Sequence, residues 1–452
     1  MRYQQGDTIV AIATPPGEGG VGILRISGAS ALPIGQTLCG MDTTTPSMLP
    51  RHAYLRRFRT HNGQIIDHGI VLYFPAPQSY TGEDIVELQG HGSPRALAAL
   101  EREAIALGAR AARAGEFTER AFLNGRLDLA QAEAVADLIH ARSDAQVRAA
   151  AASLEGAFSK AVAEIYRSLL QCLALVEAGL DFSEEDLGTA HEQAITAGLN
   201  ALHQQLATLL LQAQQGARLA QGGRVVLIGR PNVGKSSLMN ALAQRNSAIV
   251  TAVPGTTRDL LREEILLNGV PVELIDTAGL RESDDEVESE GIARARQILQ
   301  SAQLILLIAD ASTGWLEEDA IIFQGLPKLP LLMVWNKIDK VSCTPPSPID
   351  QNPVMLSARH GQGLDVLRTR LTSALGMEGA HCAFSARERH VEALATCLNH
   401  IADAQNLQQS AGPAELLAQL LREAATALGT ITGRIDVEDI LGEIFSRFCI
   451  GK

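Results

Sequence analysis

Hydrophobic and polar positions change their rhythm three times along the chain. In residues 1 to about 120, short β-rich runs at 8–13, 22–26, 69–74 and 85–88 are separated by turn-forming stretches such as Pro15-Pro16-Gly17-Glu18-Gly19-Gly20. One helical stretch, 94–107, follows His91-Gly92-Ser93, and His91 between two glycines reads as a turn residue. This pattern predicts a mixed α/β unit. From Leu127 to about Gln215 there is no proline, and Ala, Leu, Glu and Gln dominate. Apolar residues there recur at spacings of three and four, which predicts several long helices. After Gln221-Gly222-Gly223 the runs 225–228, 272–275, 304–309, 331–335 and 354–356 are apolar throughout and alternate with helical patterns. Unbroken apolar runs suit strands buried on both faces of a parallel, doubly wound sheet. Beyond about residue 380 the helical pattern returns, and the proline-bearing stretch 343–353 reads as a surface loop.

An α/β module between two helical stretches is most economically one discontinuous all-α domain with the module inserted. Insertion works because the ends of a domain often lie close together at its surface. The expected segments are 1–122 (α/β), 123–220 (helical, first part), 221–378 (inserted α/β module) and 379–452 (helical, second part with the tail).

Composition narrows the function classes. The 452 residues are 46% hydrophobic and 20% charged, which excludes a mainly disordered chain. A formal net charge of −13 excludes bulk nucleic-acid binding, so any RNA partner must be held by a local basic patch or by a second protein. Six cysteines without CxxC spacing suggest neither a zinc site nor a disulfide framework, and hence a reducing compartment. The apolar runs at 9–13 and 304–309 are too short for a signal peptide or a membrane span. The expectation is a cytoplasmic protein with no membrane partner.

The chemistry is carried by motifs in the module. Gly229-Arg230-Pro231-Asn232-Val233-Gly234-Lys235-Ser236 matches GxxxxGK[ST] between an expected strand and a helix at 237–243. Its backbone N–H groups would curl around phosphate oxygens, with Lys235 reaching the β- and γ-phosphates and Ser236 binding Mg²⁺. Asp276-Thr277-Ala278-Gly279 follows the next strand, where Asp276 would support Mg²⁺ and the Gly279 N–H would meet the γ-phosphate. Asn336-Lys337-Ile338-Asp339 ends another strand, and its carboxylate suits the paired N–H donors of guanine, which adenine lacks. Ser357-Ala358 would close on the guanine oxygen. Four motifs in order, each at a strand's C-terminal end, predict a GTPase. Thr257, or its neighbour Thr256, would sense the γ-phosphate and complete the Mg²⁺ shell from the stretch 251–259. Leu280 stands where Ras-like proteins carry a water-orienting Gln, so that group must come from elsewhere. The acidic run 281–290 is the obvious source, and by composition any of its carboxylates could serve. The expected nucleotide site thus comprises Asn232, Val233, Gly234, Lys235, Ser236, Ser237, Thr251, Thr256, Thr257, Asp276, Thr277, Ala278, Gly279, Asn336, Lys337, Asp339, Ser357 and Ala358.

The motif set with Gly255-Thr256-Thr257-Arg258-Asp259 resembles the TrmE–Era–EngA group of GTPases. Further stretches narrow the resemblance to the tRNA-modifying MnmE (TrmE) family: Asp7-Thr8-Ile9-Val10-Ala11, Ala13-Thr14-Pro15-Pro16-Gly17, Tyr80-Thr81-Gly82-Glu83-Asp84, residues 115–124 and the C-terminal Phe448-Cys449-Ile450-Gly451-Lys452. It covers essentially the whole chain.

The resemblance implies an N-terminal α/β folate-binding domain that also forms a homodimer, a discontinuous helical domain and an inserted Ras-like P-loop GTPase domain. It implies work with tRNA and the flavoprotein MnmG, as a heterotetramer. Together they would install aminomethyl or carboxymethylaminomethyl groups at C5 of the wobble uridine. A tetrahydrofolate derivative, in its 5-formyl or methylene form, would supply the one-carbon unit. It further implies K⁺-dependent hydrolysis, with Asn232, Thr251, Val253 and Thr256 around K⁺, and Glu288 in Val287-Glu288-Ser289-Glu290-Gly291-Ile292 orienting water. The implied folate residues are Arg25, Glu87, Arg126 and Lys452; Arg126 stands where the family commonly has Lys, which keeps the charge and changes the donor geometry. Cys449 has either a redox or nucleophilic role or simply places the tail. Arg258 either couples hydrolysis to tRNA chemistry or pairs with Asp259 or Glu263. A ribosome-assembly GTPase would share the nucleotide motifs but would carry an RNA-binding appendage or a second GTPase domain, and neither is legible. A non-catalytic scaffold need not keep Lys235, Ser236, Thr257 and Asp276.

Overall fold

Two six-stranded sheets, each built in a different way, organise the computed structural model. It describes residues 6–41, 48–181, 188–244, 262–276, 302–343, 345–350, 352–377, 382–433, 444–445, 448–449 and 451. The chain divides into two compact units, one of residues 1–136 with 426–452 and one of residues 137–425.

The first unit holds β1 (Ile9–Ile12), β2 (Gly19–Ser27), α1 (Ala31–Leu38), β3 (Tyr54–Arg59), β4 (Ile65–Phe74), β5 (Ile85–Gly92), α2 (Pro94–Ala106), β6 (Arg110–Ala111) and α3 (Glu116–Leu123). The strands lie in the order β3-β4-β5-β2-β1-β6, antiparallel except for the β1–β6 pair. One face packs Val10, Leu24, Ile26, Val86 and Leu88 against α1 and α2. On the other, Ile9 and Ala11 meet Phe117 of α3. The Ser93 hydroxyl accepts from the Ala96 N–H and Pro94 opens α2, so this helix starts where its sequence signals place it. His91 lies in β5 rather than in a turn, where its N–H donates to Asp67 Oδ2 at 2.8 Å.

A buried charge cluster ties the beginning of the first unit to α3. Arg120 is fully buried and donates to Asp7 Oδ1 at 2.5 Å, to both Glu83 oxygens at 3.2 and 3.1 Å, and to Glu116 Oε1 at 3.2 Å. Arg110 adds bonds of 2.6 and 3.0 Å to Glu116. Buried charges persist only when paired. Burial opposes ionisation of Glu116, but the Arg110 guanidinium, the Arg113 N–H and Arg120 outweigh it and hold its pKa down at about 2.

The second unit begins inside α4 (Leu129–His140) and continues through α5 (Asp144–Leu154), α6 (Ala157–Asp181) and α7 (Gly188–Gln221). The α/β module follows: β7 (Gly223–Ile228), α8 (Lys235–Gln244), β8 (Arg262–Leu267), β9 (Val270–Asp276), β10 (Leu304–Asp310), α9 (Glu317–Gln324), β11 (Leu331–Asn336), β12 (Val354–Met355) and α10 (Leu364–Ala374). Then come α11 (Glu388–Gln409) and α12 (Ala414–Thr432), which crosses back into the first unit. The sheet order is β12-β11-β10-β7-β9-β8, parallel except for the β8 edge. Every residue of β10 is buried, as its unbroken apolar run requires. Residues 345–350 carry neither helix nor strand, in keeping with the expected loop.

Helices from both sides of the module pack together, α11 and α6 both lying on α7. Both crossings are fastened to α5. Gln146 Nε2 donates to the Leu219 carbonyl at 2.8 Å beside the entry, and near the exit the Ser153 hydroxyl donates to the Ser385 carbonyl at 2.9 Å. Ala145 and Ala149 of α5 also join the module's own apolar core. Among the described residues no helix is long and apolar enough to cross a membrane.

Because Glu116 has its pKa lowered from 4.5 to about 2, its contribution to stability is complete above pH 4.5 and is lost as pH falls toward 2. Glu116→Gln should cost about 2–4 kcal/mol at pH 7 by breaking a buried pair, and should flatten the acid limb of stability over that window. Urea unfolding followed at stepped pH measures both effects.

Candidate functional site

The C-terminal ends of β7, β9, β10 and β11 converge on one loop. After Ile228 the chain turns through 229–234 and enters α8 at Lys235. Gly234 makes that turn possible: its φ is +99°, and a Cβ there would stand 2.4 Å from Asn336 Nδ2. The turn presents the first N–H groups and positive dipole end of α8, an arrangement that can receive an anion.

Lys235 is buried, and its ammonium donates to the Gly229 and Arg230 carbonyls at 2.9 and 3.0 Å. Its charge is thereby held along the inside of the loop. Ser236 Oγ donates to Asp276 Oδ2 at 2.9 Å, and Asp276 is fully buried at the end of β9. A hydroxyl and a carboxylate set side by side are the hard oxygen donors that Mg²⁺ takes.

Asn336 links three segments through one amide. Its Nδ2 donates to the Val233 carbonyl at 2.9 Å, while Oδ1 accepts from the Lys337 and Ala358 N–H groups at 2.8 and 3.0 Å. Lys337, at φ +63°, lies across the loop and donates to the Asn232 carbonyl at 2.6 Å. Its ammonium also pairs with Asp310 Oδ2 at 2.7 Å. Burial works to raise the Asp310 pKa, but Lys337 and Ser312 overcome it and hold it below the usual carboxylate range. The Ser357 hydroxyl donates to Asp339 Oδ1 at 2.6 Å and is the main cause of that carboxyl's lowered pKa. An anionic Asp339 beside the loop can accept two N–H donors lying in one plane.

The structure therefore brings together Val233, Gly234, Lys235, Ser236, Asp276, Asn336, Lys337, Asp339, Ser357 and Ala358, with Asn232 and Ser237 exposed in the loop and in the first turn of α8. Thr251, Val253, Thr256, Thr257, Arg258, Thr277, Ala278, Gly279, Glu288 and Lys452 lie outside the described residues. Two features escaped the sequence reading. Asp310 pins Lys337; it closes an apolar strand just as Asp276 does, so the signal was present. Arg230 donates to buried Asp319 Oδ1 at 2.8 Å and to Thr313 Oγ1 at 3.1 Å, which anchors the loop to α9. Asp319 is distant in sequence and carries no motif.

In the first unit, Arg25 and Glu87 are cross-strand neighbours on β2 and β5, paired at 2.9 Å. The Arg25 guanidinium lies 5.6 Å from the centre of the Tyr80 ring and 5.7 Å from that of Phe117. Gln89 Nε2 donates to Glu87 Oε2 at 3.1 Å. Exposed Arg126 lies beside Gly82, and the Cys449 carbonyl accepts from the Gly115 N–H at 3.4 Å. An acidic ligand at Arg25 must therefore compete with Glu87.

A parallel sheet whose strand ends carry this phosphate loop, a buried Ser–Asp pair and an Asn-Lys-x-Asp segment defines a P-loop GTPase. Two family models match: GTP-binding protein TrmE N-terminus over residues 8–126, and MnmE helical domain over residues 129–449. Tens of percent identity run the whole length of relatives called tRNA modification GTPase MnmE. The one from Dechloromonas aromatica is 48% identical over 99% of this chain and 100% of its own. That from Methylococcus capsulatus is 47% identical over the full length of both. The chain belongs to the MnmE family of tRNA modification GTPases. Among solved structures, an Aquifex aeolicus Era variant bound to GDP·AlF4⁻ is 28% identical over 39% of this chain and 66% of its own, with a TM-score of 0.28. The G domain of the T. maritima FeoB iron transporter is 25% identical over 34% of this chain and 98% of its own, with a TM-score of 0.26.

Asn336→Ala removes all three ties of the amide at once and leaves the Val233 carbonyl and two N–H groups unpaired. Fluorescent GDP titration should show at least a tenfold loss of affinity, about 1.4 kcal/mol or more, with global unfolding stability changed far less.

Proposed function

We propose that the protein is a K⁺-dependent GTP hydrolase that acts with the flavoprotein MnmG on tRNA. The pair would install aminomethyl or carboxymethylaminomethyl groups at C5 of the wobble uridine, using a tetrahydrofolate one-carbon unit. The observation that carries this reading is the Asn336-centred loop assembly with its Ser236–Asp276 pair, in a chain 48% identical to an MnmE relative over nearly its whole length.

GTP hydrolysis is in-line attack of water on the γ-phosphorus, with charge spreading onto the phosphoryl oxygens. The N–H groups at the start of α8 and the Lys235 ammonium, released from the Gly229 and Arg230 carbonyls, would meet the β- and γ-phosphates and offset that charge as it develops. Ser236 would hold Mg²⁺, with Asp276 acting through water and Thr257 completing the shell; the bound ion would neutralise phosphate charge. Asn232, with Thr251, Val253 and Thr256, would hold K⁺. Glu288 would orient the attacking water. Thr277, Ala278 and Gly279 would follow the γ-phosphate. Asp339 would accept the guanine N1–H and exocyclic amine, with Ser357 and Ala358 closing over the base.

In the first unit, Arg25, Arg126 and Lys452 would meet the carboxylates of a folate tail, and Glu87 the N–H pair of its pterin. The Arg25–Glu87 pair beside the rings of Tyr80 and Phe117 supports this reading, since a guanidinium suits an acid and a carboxylate suits paired N–H donors. We further take residues 1–122 as the folate-binding and homodimerising domain. Segments 123–220 and 379–452 would be one helical domain, carrying the GTPase domain of 221–378 between them.

Hydrolysis is expected to run faster in KCl than in NaCl at equal ionic strength; equal rates would remove K⁺ from the reading. Glu288→Ala should cut the rate by about 100-fold or more while leaving GTP affinity within a few-fold, as expected for a group that orients water. A collapse of affinity would instead make Glu288 structural. Mass spectrometry of digested tRNA from cells lacking the gene tests the tRNA role. The carboxymethylaminomethyl and aminomethyl uridines should vanish and return with the intact gene, and unchanged uridines would overturn it.

A further inference from the structure

We propose that Asp67, His68 and His91 form a surface site for one divalent transition-metal ion of the borderline class, Zn²⁺, Ni²⁺, Co²⁺ or Cu²⁺. The three lie where β4 and β5 run side by side, with His91 four residues along β5 from Glu87. Their ligand atoms all fall within 4.8 Å of one another. Two imidazoles and one carboxylate are the donor set such ions prefer over Mg²⁺ or Ca²⁺.

The carboxylate is built into place. Asp67 Oδ1 accepts from the His68 N–H and Oδ2 from the His91 N–H, both at 2.8 Å. Gly90 allows this approach, since a Cβ there would stand 2.4 Å from Asp67 Oδ2. Outer hydrogen bonds of this kind fix the orientation of a metal-binding carboxylate. Both imidazoles converge on one oxygen of it: His91 Nδ1 is 2.8 Å and His68 Nδ1 4.0 Å from Asp67 Oδ1. Their ring centres are 5.3 Å apart with planes at 68°. A tetrahedral ion with bonds of about 2.0–2.1 Å separates its donors by roughly 3.3 Å. Closing the cluster therefore needs one histidine to swing inward and the other to open slightly.

Hydrogen bonding explains Asp67, which satisfies two backbone N–H groups, and orients the His91 ring on Asp67 Oδ1, but it does not account for the His68 ring drawn toward the same oxygen at 4.0 Å. His68 and His91 side chains are 66% and 63% exposed, so they contribute little burial and lie open to an ion from solution. Three protein ligands leave a fourth position for water or an outside donor. A bound ion would also clip β4 to β5 and so stabilise the folded first unit.

The test uses the full-length protein, stripped with chelator and with its cysteines alkylated so that thiolates cannot compete. Calorimetric titration with Zn²⁺ alone should show one site in the wild type. That site should weaken at least about tenfold in His68→Gln and in His91→Ala, and further in the double variant. Zn²⁺ should raise the melting temperature of the wild type and not of the double variant. GTP hydrolysis by both single variants should stay at the wild-type rate, which verifies their folding independently of the metal readout. Wild-type affinity no tighter than that of the double variant, or a melting shift that survives in it, would overturn the site.

Discussion

One side-chain amide holds the nucleotide end of the GTPase module together. Asn336 reads the phosphate loop through the Val233 carbonyl and the base-side loop through the Ala358 N–H, and it is nearly fully buried. Neither loop has regular secondary structure of its own to fix its shape. Their relative position therefore depends on hydrogen bonds made in a low-dielectric setting, where an unpaired group is costly. Lys337 and Asp310 repeat the device with charge, and Arg230 with Asp319 secures the far side. The anion receptor at α8 is thus braced from three directions before any phosphate arrives.

The opposite end of the same sheet is fastened differently. There the chain enters from α7 and leaves toward α11, and α5 grips both crossings through Gln146 and Ser153. Arg142 of the α4–α5 turn also reaches Glu264 of β8 at 3.0 Å. Polar ties suit a junction between an inserted module and its host, since each remains satisfied only in the correct register. The apolar contribution of Ala145 and Ala149 adds close packing with small side chains, which lets a helix approach the strands.

In the first unit the electrostatics divide into two kinds. The Arg120 cluster is buried and structural, joining residue 7, the 80–84 turn and α3. The Arg25–Glu87 pair is partly exposed and flanked by aromatic rings, an arrangement that can exchange partners with a ligand. Burial separates the two roles more clearly than residue type does, because both are Arg–carboxylate pairs.

The sequence alone determined the class of the module and its chemistry. Unbroken apolar runs allow only strands covered on both faces, and the phosphate loop needs glycine and lysine at fixed spacing, so β7, β9, β10 and β11 and their terminal motifs were all legible. The prolineless helical stretch was equally plain. The edge strands β3 and β8 were not: β3 reads Tyr-Leu-Arg-Arg-Phe-Arg and β8 opens with Arg-Glu-Glu, because an edge with one solvated side has little need of apolar residues. His91 was misplaced in a turn because flanking glycines signal turns locally, whereas Asp67, two dozen residues away, holds it in a strand. Asp319 on Arg230 and Glu83 on Arg120 belong to the tertiary structure alone. Each is a pairing between segments far apart in the chain, and no local pattern encodes which distant carboxylate will meet a buried cation.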